Sequence, residues 1–292
     1  MKKILTVLIL ISLSLSANNL KEAIALYDSK QYKKALPLLQ KEVSKGTKEA
    51  IYQLGRMYHY GQGIEQNIEK AYSLYEKSAL KGHATSQYMI GMHHFDNNTL
   101  EGVKWYEKAA SNGILPAQYS LALNYYTGYR NLKPNYDKAL KWAKIIEPNK
   151  DYFKWKNMKS KLSNMQFIIG NIYLYGLGST EKNYVEAKYY LEKSSKLNNS
   201  FAQAKLGIMY MFANGVEEDF NKATKLLEES LKNNSNNIDA LTNLGVIYKF
   251  GLNGNKDLSK SFTYYKKAAN LGNKKARSNL NKLCQEYPSI CK

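Results

Sequence analysis

Three serines of this chain are each followed, three positions later, by a lysine: Ser78/Lys81, Ser179/Lys182 and Ser289/Lys292. The spacing matters because some acyl-enzymes use a Ser hydroxyl as nucleophile with a Lys amine one helical turn away. In a chain this rich in Ser and Lys, such pairs also arise by chance. No Ser-Asp-Asn or Lys-Thr-Gly segment accompanies them, and no phosphate-binding Gly loop leads into Lys-Ser or Lys-Thr. The sequence therefore predicts no catalytic residue.

The four histidines are the next residues that could do chemistry: His59, His83, His93 and His94. Stacked helices could bring His59 near His93 or His94. A metal site needs three or four convergent ligands, and adjacent residues on a helix point about 100° apart. We therefore expect surface or groove histidines, and neither a metal nor a cofactor.

The only two cysteines, Cys284 and Cys291, flank Pro288 near the end of the sequence. In an oxidising compartment such a pair favours a disulfide that pins the last helix, with free thiols as the alternative. The small loop would contribute about 2–3 kcal/mol in the loop-entropy model.

The first residues are typical of a secretory signal peptide. Lys2 and Lys3 are followed by an apolar stretch, Ile4 to Leu15, and by small residues before Ala17. The apolar stretch is shorter than the ~20 residues that span a bilayer. We expect residues 1–16 to be removed, no membrane span in the mature chain, and a periplasmic or secreted protein.

A pattern of small and large apolar residues recurs about every 36 residues, which is the range of two-helix repeats that stack into solenoids. The first copy contains Ala50, Leu54, Gly55, Tyr58, Gly61, Ala71, Tyr75, Ala79 and Gly82. The later copies replace Leu54-Gly55 by Ile90-Gly91, Leu121-Ala122, Ile169-Gly170, Leu206-Gly207 and Leu244-Gly245.

Each copy predicts a pair of amphipathic helices, since apolar residues four apart form one stripe on each helix. The glycine beside the large apolar residue lets the second helix approach closely, which offsets the ~1 kcal/mol that Gly costs inside a helix. Gly and Asn tolerate the left-handed conformation just past a helix end. The second helices are therefore expected to end at Gly82, Gly113, Asn198, Asn234 and Gly272.

This pattern resembles the Sel-one-like repeat family, a relative of the tetratricopeptide repeats. The resemblance covers residues 48 to 283 and implies an all-α fold, a right-handed superhelix of two-helix repeats. We expect a degenerate tetratricopeptide-like repeat at 17–47, about six repeats in 48–273 and a capping helix with the Cys pair at 274–292. An insertion near 148–162 is expected to add a helix and break the repeat geometry.

In tetratricopeptide-like solenoids the first helix of each repeat lines the concave face. If that carries over, offsets −2, +2, +5 and +6 from the Leu position form a groove. Its residues are aromatic to an unusual degree, with Met interspersed, which suits an adaptable peptide site. The predicted groove residues are Tyr52, Arg56, His59, Tyr60, Tyr88, Met92, Tyr119, Tyr126, Phe167, Asn171, Tyr175, Met211, Phe212, Lys249 and Phe250. The alternative is that these rings pack between repeats.

The net charge of +19 attracts polyanions in general. Arg, the residue of bidentate phosphate and base recognition, occurs only at Arg56, Arg130 and Arg277. The lysines are spread over the second helices, as on a solvated surface. We expect no specific nucleic acid, and at most weak association with anionic envelope surfaces.

Three functions remain open. The first is an exported repeat protein that binds proteins or peptides through the aromatic face. The second, a β-lactam-binding or weakly hydrolysing protein, is implied by the similarity to secreted, cysteine-rich bacterial repeat proteins. Those carry a disulfide in every repeat, whereas this chain has one terminal pair. The third is a structural protein associated with cell wall or polyanions. Binding is favoured over enzymatic activity, which stays uncertain.

Overall fold

The computed structural model describes residues 19–148 and 158–291, and the regular secondary structure of these residues is helical. The one β-type pairing among them is an isolated bridge between Tyr129 and Leu132. The helices are α1 (residues 19–28), α2 (Tyr32–Ser44), α3 (Lys48–Tyr60), α4 (Ile68–Leu80), α5 (Ala84–Phe95), α6 (Thr99–Ser111), α7 (Leu115–Thr127), α8 (Tyr136–Ile146), α9 (Met158–Tyr175), α10 (Tyr184–Ser195), α11 (Ser200–Met211), α12 (Phe220–Asn233), α13 (Ile238–Phe250), α14 (Leu258–Asn270) and α15 (Lys274–Glu286), followed by a 3-10 turn at Pro288–Ile290.

The helices belong to two compact units. Unit 1 contains the described residues up to 121, together with Tyr129–Leu132, and unit 2 contains Ala122–Gly128 and the described residues from 133 onward. Within unit 1, α3 packs on α4 and α5 on α6; within unit 2, α9 packs on α10, α11 on α12 and α13 on α14. Each of these pairs is one helical hairpin, with a first and a second helix.

A glycine in the first helix lets the two helices of a hairpin approach each other, as the sequence predicts. A Cβ on Gly55 would lie 2.8 Å from a ring carbon of Tyr75, and one on Gly245 would lie 2.5 Å from ring carbons of Tyr265. Both tyrosines are wholly buried. Gly91, Gly170 and Gly207 meet the facing second helix at similar distances. The expected close approach is confirmed.

In three hairpins, a buried serine of the second helix donates a hydrogen bond to a backbone carbonyl of the first helix. The hydroxyl of Ser78 donates to the carbonyl of Lys48, that of Ser194 to Ser163, and that of Ser230 to Ser200, each over 2.7 Å. All three serines have no exposed surface. Since a buried hydroxyl without a partner is costly, this bond fixes the second helix against the first helix of its own hairpin.

Asn and Asp begin the second helices. From α4 to α14, the residue before each second helix accepts from a backbone N–H three positions later; these caps are Asn67, Asn98, Asn135, Asn183, Asp219 and Asp257. Such caps satisfy one of the free N–H groups of a helix start. Four Asn residues therefore have a structural role at the starts of second helices.

The helix ends follow the predicted chemistry with one exception. Gly82, Gly113, Asn198 and Gly272 have positive φ. Asn234 was expected to do the same, but its φ is −148°. Here α12 runs to Asn233 and the chain leaves it in an extended conformation, so no left-handed residue is needed. The prediction that the second helix ends at Asn234 is confirmed, and the prediction of a left-handed conformation there is wrong.

Several lysines lie over tyrosine rings. In four cases the third residue of a second helix places its ammonium against a Tyr of the first helix that precedes it: Lys70 over Tyr58 (4.4 Å to the ring centre), Lys138 over Tyr125 (4.9 Å), Lys222 over Tyr210 (4.3 Å) and Lys260 over Tyr248 (4.8 Å). These are cation–π contacts, which contribute about 0.5–1 kcal/mol each at exposed sites. Part of the lysine excess thus stabilises the hairpins.

The remaining expectations concern the ends and the insertion. The structure joins Cys284 and Cys291 by a disulfide, with Cα atoms 5.6 Å apart, beside the end of α15. The signal peptide at 1–16 and residues 149–157 of the insertion lie outside the described residues, whereas residues 158–161 form the first turn of α9. Among the residues described, no helix combines the length and apolar character that a bilayer span requires.

Candidate functional site

The first helices of unit 2 line one cavity of about 460 Å³. Every lining residue comes from a first helix and none from a second helix; they are Leu123, Tyr126 and Thr127 of α7, Asn164, Phe167, Ile168 and Asn171 of α9, Phe201 and Lys205 of α11, and Asp239 of α13. We call this site the unit 2 groove. It collects Tyr126, Phe167 and Asn171, which are among the residues that the sequence predicts.

Three aromatic rings form one wall of the groove. The ring centre of Phe167 lies 6.1 Å from that of Tyr126, edge to face, and 5.8 Å from that of Phe201. Phe201 is 51% exposed although it is a large apolar residue. The first pair is edge to face and the second is tilted, and together the three rings form an apolar surface that suits an inserted apolar side chain.

A polar pair lies beside these rings. The side-chain amide of Asn171 donates from Nδ2 to the Tyr126 hydroxyl oxygen over 2.6 Å. Asn171 is only 7% exposed, and its Oδ1 has no hydrogen-bond partner among residues 19–148 and 158–291. Burial raises the pKa of Tyr126 to about 12, against smaller effects of Lys205 and Asn171. The Tyr126 hydroxyl therefore keeps its proton at neutral pH and can donate it.

A charged pair, Lys205 and Asp239, also lines the groove. Lys205 Nζ is 2.8 Å from Asp239 Oδ2 and 3.1 Å from the hydroxyl of Tyr175. Burial acts to lower the pKa of Lys205, but the Asp239 carboxylate and the Tyr175 hydroxyl outweigh it, and the pKa is raised. The ammonium stays charged and is held by α9 and α13 together. Lys205 therefore links α11 to α13 through Asp239 and to α9 through Tyr175.

Sequence reasoning missed Phe201, Lys205 and Asp239. Phe201 and Asp239 occupy offset −5 from the Leu position, and Lys205 occupies offset −1. At about 100° per residue, offset −5 falls between offsets +2 and +6 on the helix surface, nearer the helix start. Extending the predicted stripe by one turn would have found the two −5 residues from the sequence alone.

Four other predicted residues come together in unit 1. The guanidinium of Arg56 lies 4.7 Å from the ring centre of Tyr27 and 5.8 Å from that of Tyr52. The ring of His59 lies 4.7 Å from that of Tyr60, which is exposed. The rings of this cluster mostly pack on each other and on α4.

The remaining predicted residues are divided between surface and core. Met92, Tyr175, Phe212 and Phe250 are exposed. Tyr88 packs on Tyr106, with ring centres 5.5 Å apart, Tyr119 is half-buried, and Lys249 forms an ion pair with Glu286.

Met211 is a correction. It was predicted to face the groove, but it is 3% exposed and packs in the core with Leu227 and Leu244. Its offset of +5 lies at the last turn of α11, where the side chain turns toward the next hairpin.

The histidines do not converge on a metal. The ring of Tyr72 lies between two of them, 5.9 Å from His59 and stacked at 4.0 Å on His93. His83 caps α5 and contacts Glu49, with Nε2 2.9 Å from Oε2. No group of three potential metal ligands exists among the described residues.

The two Ser–Lys pairs within the described residues do not form a nucleophile and base. The Ser78 hydroxyl is fully buried in its bond to the Lys48 carbonyl. The Ser179 hydroxyl lies in an exposed loop and donates to Asp137 over 2.8 Å. Lys292, the partner of Ser289, lies outside the described residues. Within its described part, the structure has an aromatic groove and no assembled catalytic group.

Comparison with known protein families also identifies repeats in this chain. The model of the Sel1 repeat matches six segments: 48–83, 84–114, 115–145, 163–199, 200–235 and 238–273. Each segment covers all or most of one first helix and of the second helix that follows it, from α3 and α4 to α13 and α14. The matched segments cover well over half of the chain.

Solved structures share the fold. A Sel1 repeat protein from Oxalobacter formigenes is 28% identical with a TM-score of 0.52, over 86% of this chain and 96% of that one. A protective antigen present in uropathogenic Escherichia coli strains, displaying an SLR fold, is 22% identical with a TM-score of 0.56, over 87% of this chain and 53% of the antigen.

A curated relative is longer. A component of the ERAD-associated E3 ubiquitin-protein ligase of Arabidopsis thaliana, HRD3B, is 28% identical over 104 residues. That stretch is 36% of this chain and 14% of the relative, so the chain matches only a small part of the relative's length.

Proposed function

The chain belongs to the Sel1 repeat family, and from that membership we propose that it binds a protein or peptide partner through the unit 2 groove. One observation carries the proposal: four successive first helices contribute every residue of a single cavity with an aromatic wall. Apolar, largely preformed cavities with a few convergent polar groups are the usual form of a binding site.

The exposed rings support a protein partner. Phe201 at the groove and Tyr175 beside it are large apolar side chains in contact with water, and neither is needed to fill the core. Aromatic residues are over-represented among the few that dominate interface energies. In Sel1 and tetratricopeptide-like proteins the repeats generally serve protein association, and this chain has the same hairpins.

Binding outside the cytosol is part of the proposal. The charged start, the short apolar stretch and the small residues before Ala17 support export of a chain that begins at that residue. Amino-terminal sequencing of the protein recovered from its natural host tests this. A first residue other than Ala17, or an intact Met1, would count against the expected cleavage.

The decisive test compares retained partners. Chain 17–292 is immobilised as wild type, as a groove variant with Tyr175→Ser and Phe201→Ser, and as a control with Val185→Ser and Tyr189→Ser. The control residues are exposed apolar side chains of the second helix α10, outside the groove. Proteins from envelope extract and culture medium are identified by mass spectrometry.

We expect a defined protein on the wild type and on the control, and its loss from the groove variant. Equal helical circular dichroism and equal melting of the three proteins exclude unfolding as the cause. Retention of the same protein by all three would remove the groove from the proposal. Binding that disappears between low and moderate salt in all three would instead favour a polyanion surface.

A further inference from the structure

The last two described helices, α14 and α15, differ from the earlier ones in their charge balance. The second helices α4, α6, α10 and α12 each contain two glutamates among their lysines. By contrast, the stretch from Leu258 to Gln285, which covers α14 and all of α15 except its last residue, contains seven Lys and Arg residues and no Asp or Glu. The positive charge of α14 and α15 is therefore not balanced along the chain.

Four of these cations surround the turn that connects α14 to α15. Lys266 and Lys267 lie near the end of α14, and Lys274 and Lys275 are the first two residues of α15. All four side chains are exposed, and none forms an ion pair with another described residue. The exposed Leu271 lies between the two pairs. We call these five residues the basic turn.

The position of Lys274 and Lys275 is unfavourable for the fold itself. The first turn of α15 has no acidic residue, and positive charge there opposes the helix dipole, which favours anionic groups at a helix start. Lys266 and Lys267 add like charges within ten residues of the chain. An arrangement that lowers stability without a compensating contact is expected where a surface has another role.

Leu271 adds an apolar group to this cationic surface. Its side chain is 40% exposed, and the following residue, Gly272, has a positive φ of 89°. At the equivalent turns of unit 1, the residue that precedes the positive-φ glycine is polar, Lys81 or Asn112. The basic turn thus combines four unpaired ammonium groups with one leucine in contact with water.

These properties together favour a lipid bilayer over other anionic partners. The cores of protein interfaces are depleted in Lys, and nucleic-acid recognition relies on Arg, which is absent from the basic turn. Lysine ammonium groups on flexible stems suit the phosphates of an anionic lipid surface. A soluble anionic polymer has no apolar region for Leu271, whereas a bilayer has one directly below its headgroups.

We propose that the basic turn binds the surface of a bilayer that contains anionic phospholipids, with its four lysines at the lipid phosphates and Leu271 inserted just below them. This surface is separate from the unit 2 groove, because none of its residues lines that cavity. The inference is therefore independent of the proposed function, and either can fail without the other.

The test is co-sedimentation of chain 17–292 with vesicles of equimolar phosphatidylcholine and phosphatidylglycerol, and with vesicles of phosphatidylcholine alone. The wild type is compared with Lys274→Gln/Lys275→Gln, with Leu271→Ser and with the control Lys33→Gln/Lys34→Gln. The control removes the same charge, since it replaces two adjacent exposed lysines in the first turn of another helix, α2 of unit 1.

We expect the wild type to bind the anionic vesicles and not the neutral ones. Loss of Lys274 and Lys275 should weaken this binding about 25-fold, since each lysine near an anionic surface contributes about fivefold. Leu271→Ser should weaken it severalfold, because less apolar surface is buried. The control should change it by less than about twofold, because charges remote from the surface are screened.

Folding is monitored by the melting temperature, which should be equal to that of the wild type or higher in the lysine variants. If Lys274→Gln/Lys275→Gln melts lower, Lys266→Gln/Lys267→Gln at the end of α14 provides the same comparison. The groove variant with Tyr175→Ser and Phe201→Ser should bind the vesicles as the wild type does. Loss of vesicle binding in that variant would place the lipid contact at the groove and overturn the inference.

Three other results would overturn the inference. Absence of wild-type binding to the anionic vesicles removes the bilayer as partner. Equal weakening by the control and by the basic-turn variant shows attraction by the overall charge of the chain. If the lysines matter, Leu271→Ser has no effect and soluble polyphosphate binds the wild type as tightly as the vesicles do, the partner is an anionic polymer.

Discussion

Replacing Gly245 by Ala should destabilise the protein, although the same exchange stabilises an ordinary helix interior. The position lies in α13, where Ala is favoured over Gly by about 1 kcal/mol. An added Cβ would lie 2.5 Å from two ring carbons of Tyr265 and 3.0 Å from a third. All three atoms belong to one side chain that is 1% exposed, so the ring must move within a packed core.

The expected size follows from these opposing effects. Overpacking a filled core costs about 1–3 kcal/mol. Subtracting the helix preference leaves a net loss of about 1 kcal/mol in the free energy of unfolding. In a Tyr265→Val background the interfering ring carbons are absent. There, Gly245→Ala should stabilise the protein by about 1 kcal/mol, the value for a free helix position.

The assay is urea unfolding followed by circular dichroism at helical wavelengths, on wild type, both single variants and the double variant. The informative quantity is the sign of the Gly245→Ala effect in each background, since the cost of Tyr265→Val itself cancels. A stabilising effect in wild type, or the same effect in both backgrounds, would refute the explanation of this glycine by close helix approach.

Two further predictions concern buried polar contacts. Ser230→Ala removes the hydroxyl that donates to the Ser200 carbonyl at 2.7 Å, and it should lower the free energy of unfolding, measured in urea, by about 1 kcal/mol. The control Ser259→Ala, at an exposed position, should change this free energy by less than about 0.5 kcal/mol. Equal effects of the two changes would contradict the role of the buried bond. The hydrogen bond from His83 holds the pKa of Glu49 below 4.5, so the stability that this carboxylate contributes is present above pH 4.5 and is lost as the pH falls through the lowered value. Glu49→Gln should make the melting temperature less dependent on pH in that acidic range. A pH dependence equal to that of the wild type would contradict this.

The sequence predicts the fold well because small and large residues at fixed positions of the repeat determine how closely its two helices pack. Gly55 and Gly245 stand where a second helix must approach, and the structure has a buried Tyr against each of them. Asn234 shows that the residue type at a helix end does not by itself determine the backbone conformation there. Asn tolerates the left-handed conformation but does not require it, so the local path of the chain decides.

The candidate site was predictable only in part. Tyr126 and Asn171 fall on the predicted stripe, but the residues that complete the site, Phe201 and Asp239, lie one helical turn earlier on different helices. Met211 has an offset that predicts a groove residue, but it is buried because the next hairpin covers it at the end of α11. Burial depends on which neighbouring helices pack over a residue, and the spacing within one helix does not contain that information.

The buried serine bonds have a consequence for the behaviour of unit 2 under mechanical tension. Ser194 and Ser230 each tie a second helix to a first helix about 30 residues earlier, so the links are short in sequence and act one after another. A force applied to the two ends would load them in series. Extension should then proceed by one hairpin at a time, each releasing about 36 residues, or roughly 120 Å of extended chain.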